Sequence, residues 1–173
     1  MVKIIGGQWK RKNISFFEHD GLRPTLGRVR ETLFNWLGQD LSGKDCLDLF
    51  SGSGALGFES LSRGASGCIF VEKNRHAYEN LKNNKANLNA DRAEIIHSDA
   101  SNFLRNNIQS FDVIFFDPPF HEITYFSLLA NLKEFLKNDG CIYVESSAKY
   151  VDSDYKILKE ARVGQVYFYL LTV

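Results

Sequence analysis

The chain has 173 residues and sets 21 Lys plus Arg against 21 Asp plus Glu, so its formal net charge is zero. With 44% hydrophobic residues, 14 Phe, 7 Tyr and 2 Trp it holds core material for one globular domain burying roughly 70% of its unfolded surface, which excludes disorder as a description of the whole. No run approaches the ~20 apolar residues of a bilayer span, residues 1–8 lack a signal-peptide core, and Cys46, Cys68 and Cys141 are spaced for neither a disulfide framework nor a metal site, so a cytoplasmic protein with buried thiols and no metal is expected.

The balanced total conceals a sorting of charge along the chain. Residues 1–30 hold seven bases (Lys3, Lys10, Arg11, Lys12, Arg23, Arg28, Arg30) and two acids, a net of +5, and the remainder has a net of −5. A basic segment on an acidic body suggests a polyanion-binding arm, against the plainer reading of a solvated face. Ile4 to Trp9 and Ile14 to Phe17 read as a hairpin whose turn displays Lys10, Arg11 and Lys12. Arg28 to Leu37 reads as an amphipathic helix, with Val29, Leu33, Trp36 and Leu37 on its apolar face and Arg28, Arg30 and Glu31 off it.

From Asp45 the pattern alternates. Cys46 to Phe50 is a short strand, Ala55 to Leu61 a helix, Cys68 to Val71 a second strand and Arg75 to Leu88 a helix with Ala77, Leu81 and Leu88 at helical spacing. Strands Glu94 to His97 and Val113 to Phe116, a helix near Tyr125 to Leu136 and a strand Ile142 to Val144 continue the series. The pattern predicts an α/β fold with a mainly parallel sheet covered on both faces. Tyr155 to Leu158 and Val166 to Leu171, flanking Gly164, predict an antiparallel hairpin at the sheet edge.

Gly52, Gly54 and Gly57 satisfy G-x-G-x-x-G between the first strand and its helix, where glycines permit a tight turn and a helix N-terminus offers free N–H groups to a nucleotide. Glu72, ending the next strand 20 residues beyond Gly52, suits the two hydroxyls of an adenosine ribose. Dinucleotide dehydrogenases and S-adenosylmethionine (SAM) methyltransferases both use such a loop. Two features favour SAM: a dehydrogenase of this length has little chain left for a substrate domain, and Asp48 lies where a carboxylate would meet the cationic methionine end. Asp99 is placed for the adenine amino group; its plainer role is an N-cap of the helix starting near Ser101.

Two of the chain's three prolines stand in Asp117-Pro118-Pro119-Phe120, after an apolar strand. The prolines fix the backbone at the carboxyl end of a parallel strand and aim the Asp117 carboxylate and the Pro118 carbonyl, two acceptors matched to one exocyclic amino group. Phe120 offers a surface for an extruded base. Hydrogen bonds from the amine to these acceptors favour its pyramidal form and release the nitrogen lone pair for in-line attack on a methyl group. His121 is assigned no role. With no Pro-Cys nucleophile, C5-pyrimidine methylation is disfavoured.

Ile4-Ile5-Gly6-Gly7-Gln8-Trp9, Gly21 to Thr25, Arg28 to Leu37, the glycine loop, Asp117 to Phe120 and Ile142-Tyr143-Val144-Glu145 together resemble the RsmD-type 16S ribosomal-RNA guanine-N2 methyltransferases. The resemblance covers nearly the whole chain, and the N-terminal stretches are its specific part. It implies a Rossmann-like class I methyltransferase fold with a seven-stranded sheet, a SAM cofactor, and a guanine of 16S ribosomal RNA or the small ribosomal subunit as substrate, hence a role in rRNA processing and ribosome biogenesis. The expected cofactor residues are Asp48, Phe50, Gly52, Gly54, Gly57, Glu72, Lys73, Asp99, Ala100 and Asp117, and the expected catalytic ones Asp117, Pro118 and Phe120. Lys10, Arg11, Lys12, Arg23, Arg28 and Arg30 are expected on RNA phosphates. Residues 1–26 then form a basic RNA-binding extension and 27–173 the methyltransferase domain, acting as a monomer. The alternatives are an amino methyltransferase for adenine N6 or a protein glutamine, a silent RNA-binding module, and an NAD-linked dehydrogenase.

Overall fold

A computed structural model describes residues 1–16, 27–119, 125–149 and 154–173. Its centre is a seven-stranded sheet of β3 (Asp45–Asp48), β4 (Gly67–Glu72), β5 (Ala93–His97), β6 (Phe111–Phe116), β7 (Leu136–Ser146), β8 (Lys156–Val163) and β9 (Val166–Thr172), in the order β5-β4-β3-β6-β7-β9-β8. The first five are parallel, and β9 runs antiparallel to β7 and β8. The order steps outward from β3 in both directions, so a crevice opens beyond the carboxyl ends of β3 and β6, where open α/β sheets take ligands.

Strand alternation sorts the core into two layers. Cys46, Cys68, Phe115, Tyr143 and Phe168 face α1 (Gly27–Leu37), α2 (Ala55–Ser62) and α3 (Arg75–Leu88), meeting Phe34, Phe58 and Leu81. Leu47, Ile69, Ile114, Ile142 and Tyr169 pack on the other face with Phe103 of α4 (Ala100–Asn106) and Leu129 of α5 (Phe126–Leu129). All three cysteines are free and buried, and burial pushes the Cys46 and Cys141 thiols up to about 12 and about 11. Among the described residues no helix is long and apolar enough to cross a membrane.

Three local expectations are corrected. The paired N-terminal strands are only β1 (Val2–Lys3) and β2 (Asn13–Ile14), because the backbone between them turns to another partner. Ile5 and Gly6 N–H groups donate to the Glu59 carboxylate at 2.9 and 2.7 Å, and Gln8 N–H donates to the Ser62 carbonyl. The helix expected over Tyr125 to Leu136 is the single turn α5 followed by a 3-10 turn at Leu132–Phe135, with β7 beginning at Leu136. Arg30 lies inside rather than on the polar face of α1: it is 5% exposed, because β1 covers that side of the helix.

Candidate active site

The glycine loop is folded by its own hydrogen bonds. Ser51 N–H donates to the Val71 carbonyl and its hydroxyl to the Asp48 carbonyl, and Gly54 N–H closes back on Ser51. Gly52 (φ 49°) and Gly54 (φ 77°) adopt left-handed backbone, which side-chain-bearing residues rarely do. The structure gives the last two glycines a packing reason. A Cβ on Gly54 would stand 2.6 Å from Leu81 and 2.7 Å from Phe58, and one on Gly57 would stand 2.3 Å from the Phe70 ring. Their missing side chains let α2 lie against β4 and α3, and thereby aim the loop.

Three carboxylates stand at or just beyond the carboxyl ends of successive strands, and two of them bind this loop. Glu72 Oε2 accepts the Gly52 N–H at 2.8 Å and Oε1 the Asn74 N–H at 2.7 Å, so the acid that ends β4 also fixes the loop that follows β3. Each oxygen keeps a lone pair, enough for two vicinal hydroxyls. Asp48 is 3% exposed and accepts the Gly57 N–H at 3.0 Å. Burial pushes its carboxyl up to about 7; the Gly57 bond opposes this and the Glu72 charge adds to it. Such an acid gains its charge most readily beside a cation. Asp99 caps α4, its Oδ1 accepting the Ser101 N–H at 2.9 Å, so the plainer role considered for it is present in the fold. Burial raises its carboxyl, but hydrogen bonds from Tyr125 and Ser101 outweigh that and draw it below the ordinary range.

Tyr125 is a site residue that sequence reasoning missed. Its hydroxyl donates to Asp99 Oδ2 at 2.8 Å and lies 3.0 Å from Lys73 Nζ, and its ring meets the Phe50 ring at 4.9 Å. Phe50 also packs edge-on against Phe116. Tyr125, just before α5, is thus tied to Lys73 and Asp99 beyond the ends of β4 and β5, and Ala100 next to Asp99 is buried. No spacing rule marks a lone tyrosine in a stretch expected to be helix; only the fold brings it to Asp99.

Asp117, Pro118 and Pro119 leave the carboxyl end of β6, next to β3 and its loop. Asp117 is half-buried and Pro118 buried. In the β6–β7 register Phe115 lies beside Tyr143 and Phe116 beside Val144. Glu145 follows Val144 on β7, and the sequence assigns it no site role. Glu145 is 5% exposed, and the Tyr143 hydroxyl donates to its Oε1 at 2.6 Å. Burial, then Glu145, and also the charge of Asp117 push the Tyr143 phenol well above its ordinary range. Phe120, His121 and Arg23 lie outside the described residues.

The expected RNA-contacting bases are divided by the fold. Lys10, Arg11 and Lys12 are exposed and make no ion pair among the described residues, and Arg28 is exposed on α1. Arg30 is not available to a phosphate: its guanidinium donates to the Lys3 carbonyl at 3.1 Å and stands 3.6 Å from Glu59, and burial lowers its pKa against the pull of Glu59. Arg63, 2.9 Å from the same carboxylate, completes a buried triad that joins the arm to α1 and α2. The arm's tip docks on Ser62, the last residue of α2, and therefore sits toward the amino ends of the parallel strands. A cleft of about 560 Å³, lined by Gln8, Trp9, Lys12, Leu88, Asp91 and Arg92 among others, lies at that same end.

A parallel core flanked by a C-terminal antiparallel hairpin, with a glycine loop after the central strand and an acid ending the next, defines the Rossmann-like class I SAM-dependent methyltransferases. The profile of the family described as Conserved hypothetical protein 95 matches residues 2–172. Ribosomal RNA small subunit methyltransferase D of Escherichia coli (strain K12) is 38% identical over 175 residues, covering 98% of this chain and 88% of that protein. The solved structure of yhhF from Escherichia coli superposes with a TM-score of 0.87 at 39% identity, covering 98% of this chain and 96% of that one. A solved Haemophilus influenzae relative gives 0.81 at 36% identity, covering 98% and 97%. The chain belongs to this family, the RsmD family of methyltransferases.

Proposed function

We propose that the chain transfers a methyl group from SAM to the exocyclic N2 of a guanine in small-subunit ribosomal RNA. The observation that carries the reading is the juxtaposition of Asp117 and Pro118, two fixed acceptors at the end of β6, with the glycine loop and Glu72 on the neighbouring strands of the same rim.

The residues present suit the cofactor by their chemistry. Glu72 retains one acceptor site on each oxygen for the ribose hydroxyls, and buried Asp48 suits the cationic methionine end. Asp99, Lys73, Phe50 and the Ala100 backbone would surround the adenine. When bound, SAM supplies a methyl group on a positively charged sulfur, an electrophile that needs no metal. Asp117 and the Pro118 carbonyl would hold the amine through its own hydrogens, favouring the pyramidal nitrogen, and Asp117 is placed to take the proton that the amine must lose. These contacts strengthen as charge develops on nitrogen, so they act on turnover more than on ground-state binding. Phe120 would stack the base.

RNA would reach the site from the arm. Lys10, Arg11, Lys12 and Arg28 are the exposed members of the expected RNA-contacting set, with Arg23 beside them in sequence, and phosphate contacts position a nucleic acid without reading it. Helix α3 has 14 residues and so spans roughly 20 Å between the two ends of the sheet, which favours a folded RNA or a subunit particle over a small fragment.

Incubation with tritium-labelled SAM and separated RNA, DNA and protein fractions tests the reading. Label in ribosomal RNA supports it; label confined to DNA or to protein glutamine would replace it with the corresponding alternative.

A further inference from the structure

We propose that the cleft between the arm and the turn from α3 to β5 is a subsite for one nucleotide of the ribosomal RNA, with Lys12 and Arg92 on its phosphates, remote from the rim that holds Asp117. The inference rests on the ribosomal-RNA reading above and names where a second segment of that RNA is held. Arg92 lies far outside the basic first 30 residues, so the sorting of charge along the sequence passes over it. The cleft, of about 560 Å³, has the size of sites that take a small ligand.

Both walls are fixed by backbone hydrogen bonds. On the arm, Gln8 N–H donates to the Ser62 carbonyl at 2.8 Å, Trp9 N–H to the Ser62 hydroxyl oxygen at 2.9 Å, and Lys12 N–H back to the Trp9 carbonyl at 2.9 Å. On the other wall Asn89 ends α3 in left-handed backbone (φ 51°), and the Arg92 carbonyl accepts the Cys68 N–H at 3.1 Å, which pins that residue to β4. Trp9 and Leu88 are buried, whereas Lys12, Asn89, Asp91 and Arg92 are exposed. The cleft therefore has apolar side chains beneath a charged rim, and it exists before anything enters.

Charge selects the occupant. Lys12 and Arg92 come from the two different walls, neither has an ion-pair partner among the described residues, and Arg11 adjoins Lys12 in the chain. A phosphate backbone entering between them meets a cation from each side. Asp91, beside Arg92, opposes a bare anion; a nucleotide of RNA brings a donor, its ribose 2′-hydroxyl, next to its phosphate. The cleft stands before the first residue of β5 and Asp99 follows the last, so the length of α3, roughly 20 Å, separates the two ends that one RNA would bridge. Arg11 supplies a separate handle. Its φ of 73° is a left-handed conformation that glycine adopts more readily, so removing this side chain takes away charge while relieving the backbone.

The experiment measures salt-titrated binding of small-subunit ribosomal RNA, free and within the small subunit, to the full chain and to Arg92→Ala, Arg92→Lys and Arg11→Gly. Arg92→Ala should weaken binding of the RNA by about three- to tenfold and flatten the plot of log affinity against log salt by about 0.7 to 0.9, with SAM affinity and thermal midpoint near wild type. Arg92→Lys keeps the charge and should restore the slope. Arg11→Gly should also weaken RNA binding, with a thermal midpoint at or above wild type. An unaltered slope in Arg92→Ala, or a slope that Arg92→Lys does not restore, would overturn the subsite and leave the ribosomal-RNA reading standing. A loss confined to the small subunit would assign the cleft to a ribosomal protein and overturn the subsite as well. Wild-type protein that neither binds nor methylates ribosomal RNA in either form would remove both readings.

Discussion

The two ends of α3 treat charge in opposite ways. At the end proposed to hold the cofactor Asp48 and Glu72 are buried and Asp99 is half-buried, and each is bound by backbone N–H groups of the elements that it serves. At the far end Lys10, Arg11 and Lys12 stand in water without ion-pair partners among the described residues. Buried, hydrogen-bonded charges fix positions to a fraction of an ångström and suit a reaction; solvated cations attract a polyanion over a distance and tolerate its shape. Arg30 shows that location rather than residue type decides, since the fold moved it from the second group to the first.

The contrast breaks most sharply at Asp117. Asp117→Ala deletes the acceptor proposed to act as nitrogen rehybridises, so kcat should fall by at least about a hundredfold with SAM affinity little changed. Asp117→Asn should retain more activity, because its amide oxygen still accepts. Single-turnover rates for the three proteins decide; an Ala variant at near-normal rate would place the chemistry elsewhere.

Glu72 tests the binding half of the same end. Because it holds Gly52 and Asn74 and is proposed to hold the ribose, Glu72→Ala should lower both SAM affinity, by about ten- to a hundredfold, and thermal stability. Glu72→Gln retains one acceptor and should recover part of each. Calorimetry showing unchanged SAM binding in the Ala variant would remove Glu72 from the site.

Asp48 gives a pH signature. Its folded carboxyl lies near 7, above its ordinary value, so the folded state binds more protons through the interval below 7 and stability falls as pH rises across it. A bound cation reverses the preference and favours the ionised form. SAM affinity should therefore weaken about tenfold from one pH unit above that value to one below it. Asp48→Asn should flatten the profile; a variant with the wild-type dependence would assign the titration to another group.

The basic tip should give the mildest effect. Lys10, Arg11 and Lys12 replaced together by Ala should weaken RNA binding, with each lost phosphate contact flattening the plot of log affinity against log salt by about 0.7 to 0.9, and SAM affinity should hold. An unaltered slope would mean that the tip does not touch the phosphate backbone, leaving recognition to the rim around Asp117.

Legibility in the sequence followed the range of the interactions. The strand–loop–helix around Gly52, the acid at Glu72 and the helix Arg75–Leu88 were readable because periodicity and turn chemistry are local. Gly54 and Gly57 were found by spacing, but their reason, contact with Leu81 and Phe70, is tertiary. The burial of Arg30 was not readable, because a strand 27 residues earlier covers it. Tyr125 was missed for the same reason, since it meets Asp99 across 26 residues.

The most direct measurement is mass mapping of nucleosides in small-subunit ribosomal RNA incubated with SAM and either wild-type protein or Asp117→Ala. The account predicts N2-methylguanosine at a single position with the wild type and a loss of it with the variant. Methyl groups on adenine, or an equal yield from both proteins, would contradict it.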